Sequence, residues 1–230
     1  MKKNLLKTGL LSLFLGVPLL SLNADKYVIY PIPQSITMNS GMLEITPQVK
    51  VVYENGIDQA TRNRLESLLT QHGITVAADA DEASCTTIRL GIVDSGEAVE
   101  QHSWDVLGLK KTRIMVSGKF DRHAVSVAEQ GITILGEHTN AVFCGLASLE
   151  QMLEQMQDGA LEYTTIFDHA DQQNRGLVEG YYGYPYSVEV KKDLMHHMMR
   201  YKMNTYMYGA KSDPYHSQMW KDAYPTTISA

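Results

Sequence analysis

The sequence predicts an α+β domain followed by a strand–helix–strand unit, behind a short export leader. Three observations carry this reading. The hydrophobic period switches between two and 3.6 residues along 25–159, strand and helix patterns repeat as strand–helix–strand after Asn174, and Lys2, Lys3 and Lys7 precede an apolar stretch at the start. With 44% hydrophobic and 20% charged residues, the 230-residue chain has the apolar material for a real core and is not a disordered polymer. A formal net charge of −6 and the lack of a long Lys/Arg run leave no electrostatic footprint for nucleic acid or an anionic membrane surface.

The apolar stretch from Leu10 to Leu22 is broken by Gly16 and Pro18 and is shorter than the roughly 20 residues that a spanning helix needs. Ala24 offers a small residue for cleavage before Asp25, so 1–24 reads as a signal peptide. The expected destination is the periplasm or the extracellular space, with no membrane attachment after cleavage. Cys85 and Cys144 are the only cysteines. Export permits a disulfide between them, whereas the helical setting of Cys144 favours a buried thiol.

Two β-rich runs come first, Tyr27-Val28-Ile29-Tyr30 and Val49-Lys50-Val51-Val52-Tyr53, with Pro31, Pro33, Asn39 and Gly41 as turn punctuation between them. Asp58 is placed to cap a helix that carries Leu65, Leu68 and Leu69 on one face and stops at Gly73. Thr87 to Val93 reads as a strand, and His123–Val127 turns through Gln130-Gly131 into Ile132–Leu135 as a hairpin. A second helix, capped by Thr139 or Asn140, repeats Val142, Leu146, Leu149, Leu153 and Met156 at steps of four and three and ends before Gly159. These elements make an α+β domain over 25–159, and 160–173 reads as a linker. Asp81-Glu82 falls in a polar loop and reads as a solvated turn. No metal-ligand spacing, phosphate loop or nucleophile elbow occurs in the domain, so neither metal nor cofactor is expected.

From Arg175 the chain reads as a strand into the loop Glu179-Gly180-Tyr181-Tyr182-Gly183. A helix follows, capped by Ser187, with Glu189 in its first turn and Leu194, Met195, Met198 and Met199 as its apolar face. The strand Met203–Gly209 then runs into Lys211-Ser212-Asp213-Pro214. His196 and His197 are adjacent on the helix and point about 100° apart, which is not a metal spacing. A strand–helix–strand unit whose polar loops follow the strand ends is how a TIM (β/α)8 barrel opens, and 174–230 reads as an incomplete barrel domain of that kind. The loops offer close backbone approach at Gly180, a phenol at Tyr182, an ammonium at Lys211 and a carboxylate at Asp213, groups suited to a sugar's hydroxyls. At a strand end, Glu179 is expected to form an internal hydrogen bond or ion pair rather than act as an acid.

Glu179-Gly180-Tyr181-Tyr182-Gly183 and Asn204 to His216 resemble the opening motifs of glycoside hydrolase family 84, the β-N-acetylglucosaminidases that include O-GlcNAcases and hyaluronidase-like enzymes. More loosely, the hairpin and helix through Leu153 resemble the accessory domain that precedes the barrel in hexosaminidases. Ala210 and Ser212 depart from the family pattern, which usually has Pro and Asp there. The resemblance implies that Gly180, Tyr182, Lys211 and Asp213 bind N-acetylglucosamine, and that the partners are N-acetylglucosamine-containing glycans or glycoproteins. It also implies a retaining, substrate-assisted hydrolysis that uses two consecutive aspartates. No Asp-Asp pair occurs in the chain, so catalytic residues are absent and the fragment is expected to be inactive alone. Two other readings remain open: a non-catalytic glycan-binding or interaction module, and a fragment of a family 20 β-hexosaminidase. Against the latter, Val178-Glu179-Gly180-Tyr181 follows Arg175-Gly176, where family 20 should carry an Asp and an Arg.

Overall fold

The structure is a computed structural model and describes residues 27–179 and 186–209. Its larger unit is a seven-stranded mixed sheet. The strands are β1 (Ser35–Glu44), β2 (Gln48–Tyr53), β3 (Thr75–Val76), β4 (Thr86–Ile92), β5 (Phe120–Ala128), β6 (Gly131–Gly136) and β7 (Ala160–Ala170), in the order β1-β7-β5-β6-β4-β2-β3. The helices are α1 (Gln59–Gln71), α2 (Ala98–Asp105), the single turn α3 (Lys111–Ile114) and α4 (Thr139–Glu154). Strands β2, β3, β4 and β6 pair in parallel, whereas β5 pairs antiparallel with β6 and β7, and β1 with β7.

The parallel half corrects the expected class from α+β to an α/β domain with a mixed sheet. Parallel neighbours need crossovers, and crossovers place helices on the sheet faces. The alternation of side chains along β6 shows both faces in use. Ile132 and Ile134 join Leu65, Leu69, Leu146, Leu149 and Met152 under α1 and α4, while Leu135 joins Val93, Leu109 and Ile114 under α2 and α3. Each fully buried Leu or Ile in these two cores contributes about 1.5–3 kcal/mol.

Helix α1 forms as expected: the Asp58 carboxylate accepts from the Thr61 N–H at 2.8 Å, and Gly73 (φ +71°) follows the last turn. The cap of α4 differs. His138 holds that position, its Nδ1 accepting from Ala141 N–H at 3.2 Å. Thr139 instead uses its hydroxyl between the helices, accepting from Asp58 N–H at 3.2 Å and lying 2.9 Å from the Thr61 hydroxyl.

Residues Tyr27–Tyr30, expected as a strand, belong to no strand among the described residues. Gln151 on α4 and Gln155, one turn on at the helix's C-terminal cap, each offer an amide oxygen and an amide N–H. Gln155 bonds the N–H and C=O of Val28 at 2.9 Å each, and Gln151 those of Tyr30 at 2.8 Å each. Two side chains thus do the work of a neighbouring strand, and the alternation still holds: Tyr27 and Ile29 are buried, Val28 and Tyr30 exposed.

Two further corrections concern strands. The stretch around Asn39 and Gly41 lies within β1, which bulges between Met38 and Met42. Gly41 (φ +124°) is required there, since a Cβ would fall 2.3 Å from the Tyr163 ring. Residues 160–173, expected as a linker, supply β7, the strand between β1 and β5. Both cysteines are free; burial pushes the Cys144 thiol up to about 11.

The smaller unit is a parallel pair, β8 (Gly176–Val178) and β9 (Thr205–Met207), joined through α5 (Val188–Arg200). Ser187 caps α5 by accepting from Val190 N–H at 3.3 Å, with Glu189 in the first turn, as the sequence predicts. Of the four expected apolar-face residues only Met198 is buried; Met195 is exposed. At the strands' start the backbones close in: a Cβ on Gly176 would meet the Thr205 carbonyl oxygen at 1.5 Å.

Candidate substrate-binding face

Because β8 and β9 are parallel and in register from Gly176↔Thr205 to Val178↔Met207, their C-terminal ends lie side by side. In α/β folds this is the end beyond which ligands bind. Gly180, Tyr182, Lys211 and Asp213 lie outside the described residues. The strand ends that lead to them are described.

Glu179, directly after β8, is 4% exposed. Its N–H continues the ladder to the Met207 carbonyl at 2.9 Å. One carboxylate oxygen accepts from Tyr186 N–H at 2.9 Å, and the other accepts from the Tyr206 hydroxyl and lies 3.6 Å from the Lys191 ammonium. Burial works to raise this carboxyl's pKa, but the Tyr206, Tyr186 and Lys191 partners together hold it below the ordinary range. Burial and the same carboxylate push the Tyr206 phenol up to about 12. Glu179 is therefore an ionised acceptor, in line with the internal role read from the sequence. Lys191 also sits 4.2 Å over the Tyr208 ring.

The opposite end of the unit carries a cluster that imitates an active site. Arg175 pairs with Asp121, and Lys202 with Asp168 at 2.6 Å, the latter two side chains each only 7% exposed. His123 lies between them, its Nδ1 2.7 Å from the Asp121 carbonyl and its Nε2 3.9 Å from Asp168. Burial, then Lys202, lowers the His123 pKa to about 4, so the ring is neutral near pH 7. The same groups line a cavity of about 280 Å³. This end precedes the strands, and its charges pair across the two units, which makes it a joint rather than a reaction centre.

A second joint lies on α4. The Arg64 guanidinium donates to the carbonyls of Phe143 (2.9 Å) and Met199 (3.2 Å) and to Glu150 (3.0 Å), while Arg200 pairs with Glu154. Sequence reasoning missed both joints. In the first the partners stand 54 residues apart for Asp121–Arg175 and 34 for Asp168–Lys202, and in the second Arg64 and Glu150 stand 86 apart, separations without a periodic signal. Lys191 and Tyr206 were missed likewise; neither lies in a recognisable spacing with Glu179.

Residues 26–169 match the family model of glycosyl hydrolase family 20, domain 2, a span that takes in all but the last residue of the seven-stranded sheet. The chain belongs to this family. Residues 175–229 of this family 20 domain 2 protein match a second model, that of beta-N-acetylglucosaminidase, which covers β8, α5, β9 and all four candidate residues. Among solved structures the chain is similar to CpGH84D, at 37% identity and a TM-score of 0.78 over 86% of this chain and 33% of that one. It is also similar to CpGH84B, at 26% identity and a TM-score of 0.69 over 87% of this chain and 33% of that one. A family 20 exo-β-N-acetylglucosaminidase from Vibrio harveyi shares the fold, at 18% identity and a TM-score of 0.59 over 80% of this chain and 25% of that one. Protein O-GlcNAcase from Rattus norvegicus is 39% identical over 49 residues, 21% of this chain and 5% of that protein. The resemblance to glycoside hydrolase family 84 read from the two motifs is thus borne out. The chain spans about a third of the length of the two family 84 structures it matches.

Proposed function

We propose that this chain provides the accessory domain and the first wall of the sugar pocket of an exported β-N-acetylglucosaminidase whose catalytic unit is a (β/α)8 barrel. The observation that carries the reading is the parallel β8–α5–β9 unit within the β-N-acetylglucosaminidase match, which puts the lead-ins to both candidate loops at one edge. In this reading Gly180 and Tyr182 line the N-acetylglucosamine pocket, Lys211 donates to a sugar hydroxyl and Asp213 accepts from one. The partners are N-acetylglucosamine-containing glycans or glycoproteins, met in the periplasm or outside the cell after cleavage before Asp25.

The chemistry of the complete site is substrate-assisted. The sugar's acetamide oxygen attacks the anomeric carbon as the leaving oxygen takes a proton from a general acid, and the resulting oxazoline is opened by water with retention. One aspartate orients the acetamide; the other is the acid and then the base. No consecutive aspartates occur in the sequence, so this chain's own residues bind and orient the sugar without moving a proton.

Titration of the chain with N-acetylglucosamine, followed by amide chemical shifts, tests the reading. Saturable shifts are expected at 180–184 and 211–213, weakened by Lys211→Ala and absent with glucose, which lacks the acetamide. A wild-type chain that shows no saturable shift overturns it.

A further inference from the structure

Glu179 has an arrangement that an ordinary buried acid at a strand end would not require. A carboxylate taken out of water is stable only when its oxygens are satisfied, and here the satisfying groups come from three separate places. Tyr186 is the first described residue after 180–185, so the bond from its N–H to Oε1 joins the two ends of that segment. The Tyr206 hydroxyl, donating to Oε2, belongs to β9, the strand that runs toward Lys211. Lys191, from α5, lies 3.6 Å from Oε2 and stacks on Tyr208, just past β9. Both carboxylate oxygens are thereby committed, and Glu179 has no capacity to act as an acid toward a leaving group.

We propose that Glu179 is a positioning residue for the sugar site: its one carboxylate fastens the entry and the exit of the first loop and ties them to the strand leading into the second. The proposal rests on the sugar-binding reading above. It assigns Glu179 no contact with substrate; the residue acts by holding Tyr186 and Tyr206, which flank the two candidate segments, in place before the sugar arrives, which lowers the ordering cost of binding.

The test uses the 230-residue chain with Glu179→Gln, Glu179→Ala and Tyr206→Phe. Two quantities are followed: hydrogen exchange at the Tyr186 amide and affinity for N-acetylglucosamine. Exchange at Met198 to Arg200 reports whether α5 remains folded. Losing a charge-assisted hydrogen bond is worth about tenfold or more in an equilibrium. Glu179→Ala is therefore expected to speed Tyr186 exchange by about tenfold or more and to weaken sugar binding by a similar factor, with α5 still protected. Tyr206→Phe, which removes one arm only, should weaken sugar binding while leaving Tyr186 protected. Glu179→Gln, neutral and unable to accept from all three groups, should fall between. A Glu179→Ala chain with wild-type Tyr186 exchange or wild-type sugar affinity overturns the proposal. If Glu179→Ala also unfolds α5, Tyr206→Phe decides: unchanged affinity in that variant overturns the proposal, and weakened affinity supports it. Absence of sugar binding by the wild type would overturn the functional reading instead, and the clasp would then stand or fall on the Tyr186 exchange alone.

Discussion

His123 shows how a single residue's surroundings determine its chemistry. A histidine beside two aspartates invites a catalytic assignment, yet it is 1% exposed, faces the Lys202–Asp168 pair and bonds the Asp121 carbonyl through Nδ1. Its folded pKa of about 4 lies below the ordinary value of 6.5, so between these values the unfolded chain binds the extra proton. Stability should therefore fall as pH is lowered through that window, by up to about 1.4 kcal/mol per pH unit. Asp168 contributes separately. Burial works to raise its pKa, but Lys202 and His123 outweigh it and hold the carboxyl below its ordinary value, so its stabilising share is lost only at still lower pH. Urea unfolding at a series of pH values from about 7 to about 5 checks this. The midpoint should drop in the wild type and stay flatter in His123→Asn, and a flat wild-type profile would refute the account.

At the scale of elements, β7 decides where the larger unit ends. It is the described partner of the edge strand β1 and adds Leu161 and Ile166 to the larger hydrophobic core. A chain cut after Gly159 strips β1 of that partner, whereas one cut after Gln173 keeps the whole sheet. Residues 25–173 should thus unfold in one cooperative transition, and 25–159 should show none by near-ultraviolet circular dichroism with heating. Cooperative melting of the shorter piece would show β7 to be dispensable. The strand was hidden from sequence reasoning because Glu162, Tyr163, Thr164 and Thr165 interrupt the apolar alternation, and because its two partners, β1 and β5, are distant in sequence. The Tyr27–Tyr30 segment is the mirror case: its period-two pattern was legible, but its hydrogen-bonding partner, a pair of glutamines at the C-terminal end of α4, was not.

On the scale of the molecule, two units are joined by Arg175–Asp121, Lys202–Asp168 and the Arg64 bridge, all on the side of β8 and β9 away from the candidate face. The joint sets the orientation of the small unit and leaves its C-terminal edge free of these contacts. Val178, Met207, Val188 and Val190 are exposed, apolar surface that further strands and helices of the proposed barrel would cover. The proposal predicts that the chain alone hydrolyses an aryl N-acetylglucosaminide no faster than solvent does, since loss of a general acid or base typically costs about 10²–10⁴-fold and both aspartates are missing. Turnover that copurifies with the chain would mean that residues within it do the chemistry.

By itself the sequence determined the family resemblance, the helices α1, α4 and α5, the hairpin β5–β6, and the strand–helix–strand order of β8, α5 and β9. These are local properties: a cap and a period within one helix, a turn between adjacent strands, a motif of a few residues. Only the tertiary structure decided the parallel half of the sheet, the incorporation of β7, the glutamine ladder under Tyr27–Tyr30, the charged joint around His123 and the clasp on Glu179. Each of these depends on groups tens of residues apart meeting in a dry interior, where satisfying a buried charge or backbone group outweighs any preference written into the local pattern.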